Sequence, residues 1–351
     1  MTSFLDTYRR TGADLPFGDP LPWHGVSMEG YFWRFSDPAT GRVIITLVGI
    51  NSPARGDRWA TVGIAAEPSG HLATAELAGA WADPQRLGVR VGDDGGEGHV
   101  VADARRLDAV VGASAVHVSV ESPRPWPHRR FGGSSLFQSV PGLNQYWHPW
   151  LLGGTARGQA VIDGERVDID GWQVYGEKNW GRGGFPDAWW WGQAQGFAER
   201  DTCVAFAGGQ VTAGPTVLGR RLTTEVTALV VALPDGRVLR LGNPGASPVR
   251  TEARPGHWQL RGRSRRWQVE VDASIDPGQA FVLPVPLVEE RRNAPGALES
   301  LVGHIEVRVA EHGREVWRGE SQLAGLELGG RALAEEELAT RGGSPSPTTA
   351  Q

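Results

Sequence analysis

Short segments of apolar or alternating residues, separated by tight-turn sequences, recur along almost the whole chain. The turn sequences include DPATG, PDG and EHG, which are typical of hairpins. Long stretches with a helical period are nearly absent, and 49 Gly and 24 Pro also disfavour helix interiors. The strand-like segments include GYFWRF, RVIITLVGI, WATVGIAAE, SAVHVSVES, VDIDGWQVYG, TALVVALPDGRVLRLG, WQLRGRSRRWQVEVDAS and IEVRVAEHGREVWRGESQLAG. This pattern predicts an all-β sandwich or barrel, and a chain of 351 residues favours two such units.

Charge and cysteine content limit the class of protein. Lys plus Arg total 35 and Asp plus Glu total 40, so the formal charge of −5 gives no basic surface for nucleic acid. The one cysteine, Cys203, excludes an intramolecular disulfide and a zinc site built from several cysteines. The sequence MTSFLDTYRR lacks the apolar core of a secretory signal, and no run approaches the ~20 apolar residues of a membrane span. We therefore expect a cytoplasmic protein.

One stretch, YGEKNWGRGGFPDAWWWGQAQ, combines three consecutive tryptophans with glycines, amides and charges. Strand alternation places the side chains of Tyr175, Glu177 and Asn179, before the glycine-rich turn, on one face of their strand. After the turn, it places Trp189, Trp191, Gln193 and Gln195 together on one face of the next strand. Buried amides need hydrogen-bond partners, so the second set is unusual for a dry core. Ligand cavities, in contrast, combine aromatic walls with a few polar groups. The stretch therefore predicts a binding cavity.

This stretch and its surroundings resemble the tocopherol cyclase family. The likeness includes QYWHPWLLGGTARGQAVIDGE upstream, EGYFWRFSDP near the start, and FVLPVPLVEERRNAPGALESLVGHIEV and LAGLELGGR near the end. It is distributed in the family's order over about the first 331 residues. The resemblance implies two lipocalin-like antiparallel β domains with a pocket between them, and a wider kinship with carotenoid 1,2-hydratases.

The glycine-rich turn GRGGFPD is the predicted domain boundary, because the chain passes there through Gly and Pro between two strand-like segments. Residues 1–185 are predicted to form the N-terminal lipocalin-like domain, and residues 186–331 the C-terminal one. Residues 332–351 are predicted to form a short helix, from the pattern ALAEEELATR, and a disordered tail without any packing pattern.

The family resemblance implies an intramolecular ring closure, in which the phenol oxygen of a prenylated hydroquinone adds across a trisubstituted alkene. This isomerisation is expected to need no cofactor and no metal. It requires an acid for the alkene, an aromatic wall for the resulting cation, and a polar group that holds the hydroxyl. We predict Glu177, Asp187 and His148 as catalytic residues. The predicted substrate-binding residues are Trp33, Tyr146, Trp147, Tyr175, Asn179, Trp189, Trp191 and Gln193.

The segment EGYFWRF supplies a predicted second wall of the cavity. Glu29, Tyr31 and Trp33 share one face of this strand, whereas Arg34 is predicted to be exposed. Farther along the chain, Glu299 and His304 in LESLVGH are weaker candidates for completing the pocket from the second domain, and structural roles are favoured for both.

The catalytic candidates also have structural interpretations. Glu177 and Lys178 are adjacent on a strand and so point to opposite faces, which disfavours an ion pair between them. Glu177 could instead accept a hydrogen bond from turn backbone, and Asp187 could cap the turn that follows Pro186. His148 could be a satisfied buried imidazole.

Several functions fit the same predicted cavity. The alternatives to ring closure are a non-catalytic isoprenoid carrier of lipocalin type, and a polyene hydratase or pericyclase. Sugar binding is disfavoured, because these tryptophans alternate with glycines and amides suited to a closed cavity. We expect the partner to be a hydrophobic small molecule and not nucleic acid, with a transient membrane-surface contact compatible with such a substrate. The oligomeric state is left open.

Overall fold

The protein is built almost entirely of antiparallel strands. The structure, a computed structural model, describes residues 3–17, 20–92, 98–128, 130–217 and 220–342. Within these residues the α-helices are α1 (Phe4–Arg9) and α2 (Arg331–Thr340), and 3₁₀ turns span Ser135–Ser139, Pro277–Gln279 and Val288–Glu290. The strands are β1 (Met28–Asp37), β2 (Arg42–Asn51), β3 (Trp59–Glu67), β4 (His71–Ala78), β5 (Trp81–Ala82), β6 (Gly88–Val91), β7 (Gly98–Asp103), β8 (Arg106–Val111), β9 (Ser114–Pro125), β10 (Tyr146–Ile162), β11 (Glu165–Gly181), β12 (Trp189–Ala194), β13 (Cys203–Val217), β14 (Arg220–Ala232), β15 (Val238–Leu241), β16 (Val249–Arg254), β17 (His257–Arg263), β18 (Trp267–Ser274), β19 (Phe281–Leu287), β20 (Arg292–Glu311) and β21 (Arg314–Gly329).

The strands form two large curled sheets, the first from β1 to β11 and the second from β12 to β21. The first sheet has the order β4-β3-β2-β1-β11-β10-β9-β8-β7-β6-β5. The second has the order β15-β14-β13-β12-β21-β20-β18-β17-β16, and β19 pairs with β20. In each sheet a late strand closes back on an early one, β11 on β1 and β21 on β12, and both pairs are antiparallel. The all-β prediction is confirmed.

The loop between the two sheets runs from the end of β11 to the start of β12. It contains the sequence GRGGFPD, and its Gly183 and Gly184 have φ of 99° and 82°, a backbone region that favours glycine. The boundary predicted between residues 185 and 186 falls in this loop, while the domain division itself stays a prediction. The predicted C-terminal helix corresponds to α2. Residues 343–351, predicted as a disordered tail, lie outside the described residues.

Each sheet has a hydrophobic core of its own, and further apolar clusters join the two sheets. Trp33, Trp150 and Trp172 belong to the core of the first sheet, and Phe206, Trp258 and Trp317 to that of the second. The clusters that join them contain Ile45, Tyr175 and Trp147 from the first sheet and Trp189, Trp191, Leu283 and Cys203 from the second. The central strands are therefore buried on both faces, which explains why segments such as GYFWRF are almost continuously apolar.

Arg34 shows the consequence of this double burial. The prediction that Arg34 is exposed is wrong, because its side chain points from β1 toward the second sheet and is fully buried. Its guanidinium donates to the carbonyl oxygens of Leu301 at 2.6 Å and Leu323 at 2.8 Å, and to Ser36 Oγ at 2.9 Å. A buried guanidinium needs such partners, and here they fasten β1 to β20 and β21.

Among the described residues, neither α1 nor α2 combines the length and the apolar character that a membrane-spanning helix requires. The cytoplasmic location stays a prediction.

Candidate active site

A cavity lies between the two sheets, and aromatic rings form much of its wall. The aromatic residues that line it include Phe32, Tyr146, Trp147, Trp189, Trp190 and Trp191. Phe32 packs edge to face on Trp191, with 5.3 Å between ring centroids. Acids and amides interrupt this wall, namely Glu177, Glu299, Glu327, Gln145, Asn179 and Gln210. A cavity of this composition suits a largely apolar ligand that also carries a polar group.

Glu177 is the acid at which the two sheets meet. Its Oε2 accepts hydrogen bonds from Tyr175 Oη at 2.7 Å, Trp147 Nε1 at 2.8 Å and Trp191 Nε1 at 2.9 Å. Trp147 and Tyr175 belong to the first sheet, whereas Trp191 comes from the second. All three of these bonds reach Oε2, and within the described residues Oε1 receives none, so Oε1 is the oxygen that can carry a transferable proton.

Two opposing effects set the proton affinity of Glu177. Burial disfavours the charged form and raises the pKa of the carboxyl to about 7, although the hydrogen bonds from Tyr175, Trp191 and Trp147 lower it in part. Neutral and ionised forms are therefore both populated near neutral pH. This is the range in which a carboxylic acid works best as a proton donor.

Two more acids face the cavity from the second sheet. Glu299 on β20 and Glu327 on β21 are directly opposite each other in the antiparallel ladder, and Trp191 is opposite Glu327 on the other side. Trp189 Nε1 donates a hydrogen bond to Glu327 Oε1. Burial raises the pKa of Glu327 to about 7, and burial together with the neighbouring Glu327 raises the pKa of Glu299 well above its usual value.

The acids and tryptophans described above lie within a part of the chain that matches a known protein family. Residues 130–330 match the family model described as tocopherol cyclase-like. The chain belongs to the tocopherol cyclase-like family. Trp147, Glu177, Trp191, Glu299 and Glu327 all lie inside the matched range.

Two curated relatives of this tocopherol cyclase-like chain come from plants. A probable chloroplastic tocopherol cyclase of Oryza sativa subsp. japonica is 30% identical over 200 residues, which cover 55% of this chain and 41% of the relative. The chloroplastic tocopherol cyclase of Zea mays is 28% identical over 202 residues, covering 55% of this chain and 40% of the relative. The match thus spans about two-fifths of the length of these relatives.

Two solved structures share the architecture. An AttH-type protein from Nitrosomonas europaea has a TM-score of 0.51 at 13% identity, covering 91% of this chain and 98% of that one. CghA has a TM-score of 0.50 at 15% identity, covering 87% and 88%. At this identity the likeness concerns the fold alone. Because both are lipocalin-like, the predicted lipocalin-like fold is confirmed.

Most of the residues predicted for the site come together at the cavity. Tyr146, Trp147, Glu177, Asn179, Trp189 and Trp191 line it. Tyr175 lies directly behind the wall and reaches the site through its hydrogen bond to Glu177. Tyr146 Oη donates to the carbonyl oxygen of Val140 at 2.6 Å, and the Tyr146 ring stacks on Trp180. That hydroxyl is therefore already engaged by the protein.

Trp33 and Gln193 are among the predicted residues that do not line the cavity. Trp33 packs in the core of the first sheet, edge to face against Trp150 at 6.3 Å between centroids. Gln193 is buried, and its Nε2 lies 3.6 Å from Cys203 Sγ. Its Oε1 is buried without a hydrogen-bond partner among the described residues.

The two other predicted catalytic residues lie away from the cavity wall. His148 is fully buried, accepts a hydrogen bond from the Gly133 backbone at 3.2 Å and packs edge to face on Trp126. Burial lowers the pKa of His148 to about 3, so the imidazole is neutral. Asp187 is exposed in the loop between the sheets and borders a separate hollow beside α2.

Glu327 and Phe32 line the cavity but are absent from the predicted set. A signal for Glu327 is present in LAGLELGG, where Gly325, Glu327 and Gly329 share one strand face. A side chain at Gly329 would overlap the Trp189 ring, whereas a Cβ at Gly325 would lie 3.1 Å from the Trp191 ring, a close contact without overlap. Glycines that flank an acid on one face therefore mark the place where large rings from a neighbouring strand are received.

A second buried ionic cluster lies on the opposite side of β11 from Glu177. As the alternation predicted, Lys178 does not pair with Glu177: its Nζ lies 2.8 Å from Glu29 Oε2, and both side chains are fully buried. Lys178 Nζ also donates to the carbonyl oxygen of Pro22 at 2.8 Å and lies 3.0 Å from His24 Nδ1. His24 Nε2 in turn contacts Asp14 Oδ2 at 3.0 Å. These bonds tie the segment before β1 to the first sheet.

The raised pKa of Glu177 predicts a pH-dependent stability difference between the native protein and Glu177→Gln. Below the unfolded pKa near 4.5 the carboxyl is neutral in both states, so its burial carries no ionisation cost. As the pH rises toward the folded pKa of about 7, the unfolded state alone loses its proton and the native protein loses roughly 2–3 kcal/mol of unfolding free energy. Denaturant unfolding of both proteins at pH 5 and pH 8 should therefore show Glu177→Gln gaining relative stability at the higher pH.

Taking the difference between the two proteins cancels the titration of common groups that do not interact with Glu177; Glu299 and Glu327, whose pKa values Glu177 raises, do not cancel fully. Glu306→Gln, the same change at an exposed position on β20, is the matched control for the substitution itself. A Glu177→Gln difference that stays constant between pH 5 and pH 8 would contradict the raised pKa.

Proposed function

We propose that this protein closes a ring on a prenylated hydroquinone or a related isoprenoid, with Glu177 as the acid that starts the reaction. The observation that supports this most directly is the buried Glu177 carboxyl in an aromatic cavity, held by Trp147, Tyr175 and Trp191 and left with one oxygen available. Membership of the tocopherol cyclase-like family supports the same reaction class. The reaction is an isomerisation, so its electron balance requires no oxidant or reductant.

In the first step, Glu177 transfers its proton to the less substituted carbon of the alkene. The O–H bond of the acid breaks, a C–H bond forms, and a tertiary carbocation remains on the substrate. After the transfer, the negative charge on Glu177 is stabilised by the three hydrogen-bond donors that already contact Oε2. These donors need no reorganisation during the step. A preorganised anion site therefore offsets part of the cost of charging a buried carboxyl.

The carbocation then needs surroundings that stabilise it without reacting with it. The faces of Trp147, Trp189 and Trp191 attract a cation by ~0.5–2 kcal/mol each, and indole carbon is a poorer trap than water. All three rings line the cavity. Closing the site to water matters here, because water would add to the cation and give a tertiary alcohol in place of the ring.

The proposal is tested by incubating the pure protein with farnesylhydroquinone and geranylgeranylhydroquinone under reducing conditions. We expect a product of unchanged mass that has one phenolic hydroxyl fewer and is formed as a single enantiomer, detected by chiral chromatography with mass detection. Binding of both compounds without any cyclised product would contradict ring closure and favour the isoprenoid carrier. A product heavier by one water would instead indicate a hydratase.

A further inference from the structure

Glu299 and Glu327 are two acids that have no role in the proton transfer from Glu177 described above. They are directly opposite each other on adjacent strands, and both line the cavity. Together with Trp191 they make a row across β12, β21 and β20, and Trp191 is the residue that donates to Glu177. The pair thus lies beside the proposed proton donor, on the other sheet.

The surroundings of the pair are not those of a structural ion cluster. No salt bridge reaches either carboxyl within the described part of the chain. The nearby guanidinium of Arg34 lowers the pKa of Glu299 in part, but it gives its hydrogen bonds to Ser36 and to two backbone carbonyls. Like charges directly opposite each other on neighbouring strands are unfavourable, and a buried site makes them more so. Two such carboxyls lower this cost by keeping a proton between them.

Glu299 also lacks the contacts expected of a buried side chain. Only 2% of the residue is exposed, and its Oε1 has no hydrogen-bond partner among the described residues. A buried polar atom without a partner is costly, and such atoms are uncommon in native proteins. Because Glu299 lines the cavity, a bound molecule can supply the missing partner.

We propose that Glu299 and Glu327 form a one-proton carboxyl pair that binds the hydroxyl of the substrate and accepts its proton as the ring closes. This inference rests on the proposed function, for which it supplies the second half of the proton transfer. The ligand class that the pair recognises is a phenol or other hydroxyl carried on an apolar molecule.

The complete reaction then balances in atoms and charge. Glu177 gives a proton to the alkene carbon, the hydroxyl oxygen of the substrate forms the new C–O bond, and its O–H bond breaks. That proton passes to the carboxylate of the pair, which becomes fully protonated while Glu177 is left ionised. Return of one proton to Glu177 restores the starting state, and the substrate has gained and lost one proton.

Binding of a substrate analogue without an alkene tests the pair separately from ring closure. Decylhydroquinone and its dimethyl ether share the ring and the alkyl chain, but the ether carries methyl groups in place of the hydroxyl protons; isothermal titration calorimetry gives the affinity of each. We expect the native protein to prefer the hydroquinone by about tenfold or more, from a hydrogen bond to a charged acceptor. Glu299→Met and Glu327→Met should lose this preference while keeping the affinity for the ether.

Methionine suits these positions because it has roughly the length of glutamate and carries no charge. At Glu299 it removes the unpartnered Oε1, whereas at Glu327 it also removes the acceptor of the Trp189 Nε1 hydrogen bond. Thermal melting checks that the variants fold, and Glu306→Met on the exposed face of β20 is the matched control, expected to keep the native preference. If both cavity variants discriminate hydroquinone from ether as the native protein does, the proposed hydroxyl site is overturned.

Turnover of geranylgeranylhydroquinone tests the proton-accepting role. Glu327→Gln and Glu299→Gln should each lower kcat by about tenfold or more, since an amide cannot take up the proton. Native rates in both variants would overturn this role. If no hydroquinone is cyclised yet the Met variants lose the binding preference, the proposed function fails and the hydroxyl site stands. If a hydroquinone is cyclised but the Met variants still prefer the hydroquinone to the ether as the native protein does, the proposed function stands and the hydroxyl site fails.

Discussion

Glu177→Gln is expected to lower the rate of ring closure by about 10²–10⁴-fold, the range typical of a lost general acid. Glutamine has nearly the shape of glutamate, and its carbonyl oxygen can still accept the hydrogen bonds from Trp147, Tyr175 and Trp191 that hold the sheets together here. The amide cannot protonate an alkene. The loss should therefore appear in kcat for geranylgeranylhydroquinone, with the affinity for decylhydroquinone almost unchanged.

The pH profile gives an independent check on the same residue. The acid must be protonated to react, so the native rate should fall as the pH rises above the Glu177 pKa of about 7. Glu177→Asp keeps a carboxyl but draws it back by one methylene, so it should restore part of the rate lost in Glu177→Gln. The comparison with Asp187→Asn decides between the two carboxylates suggested by the sequence. Loss of rate in Asp187→Asn with a native rate in Glu177→Gln would contradict the proposal.

Strand alternation placed Glu177, Asn179, Trp189 and Trp191 toward the cavity, but it gave no sign that Trp190, on the other face of β12, lines the cavity as well. The period of a strand is two residues, so Glu177 and Asn179 point the same way, and so do Trp189 and Trp191, whatever the sheets do around them. What alternation lacks is any information on partners. Trp191 reaches Glu177 only because β12, in the second sheet, packs across from β11, in the first.

The same limit explains the residues that the sequence misplaced or missed. In GYFWRF both strand faces are buried, so the apolar pattern cannot tell the core face, which holds Trp33, from the cavity face, which holds Phe32. The wrong prediction that Arg34 is exposed has a related cause. Its carbonyl partners lie more than 260 positions away in the chain, so the local pattern gives no sign of them. Glu327 becomes a site residue only through its ladder pairing with Glu299 and Trp191.

The largest expected effect on stability is that of Lys178→Met. Removing the ammonium leaves Glu29 fully buried without its ion-pair partner, which costs about 3–5 kcal/mol of unfolding free energy. Glu29 Oε1 would keep its hydrogen bonds from the backbone of His24 at 2.6 Å and Gly25 at 2.8 Å, which favours the lower half of that range. Denaturant unfolding followed by tryptophan fluorescence measures the change.

A double variant separates the ion pair from the packing around it. In Glu29→Gln with Lys178→Met, neither charge remains, so most of the lost unfolding free energy should return even though the native pair is absent. Arg331→Met is the matched control, because its partner Glu335 lies on the exposed face of α2 and such pairs contribute about 1 kcal/mol or less. If Lys178→Met were no more destabilising than Arg331→Met, the buried Lys178–Glu29 pair would contribute no more to stability than an exposed ion pair, which would contradict this prediction.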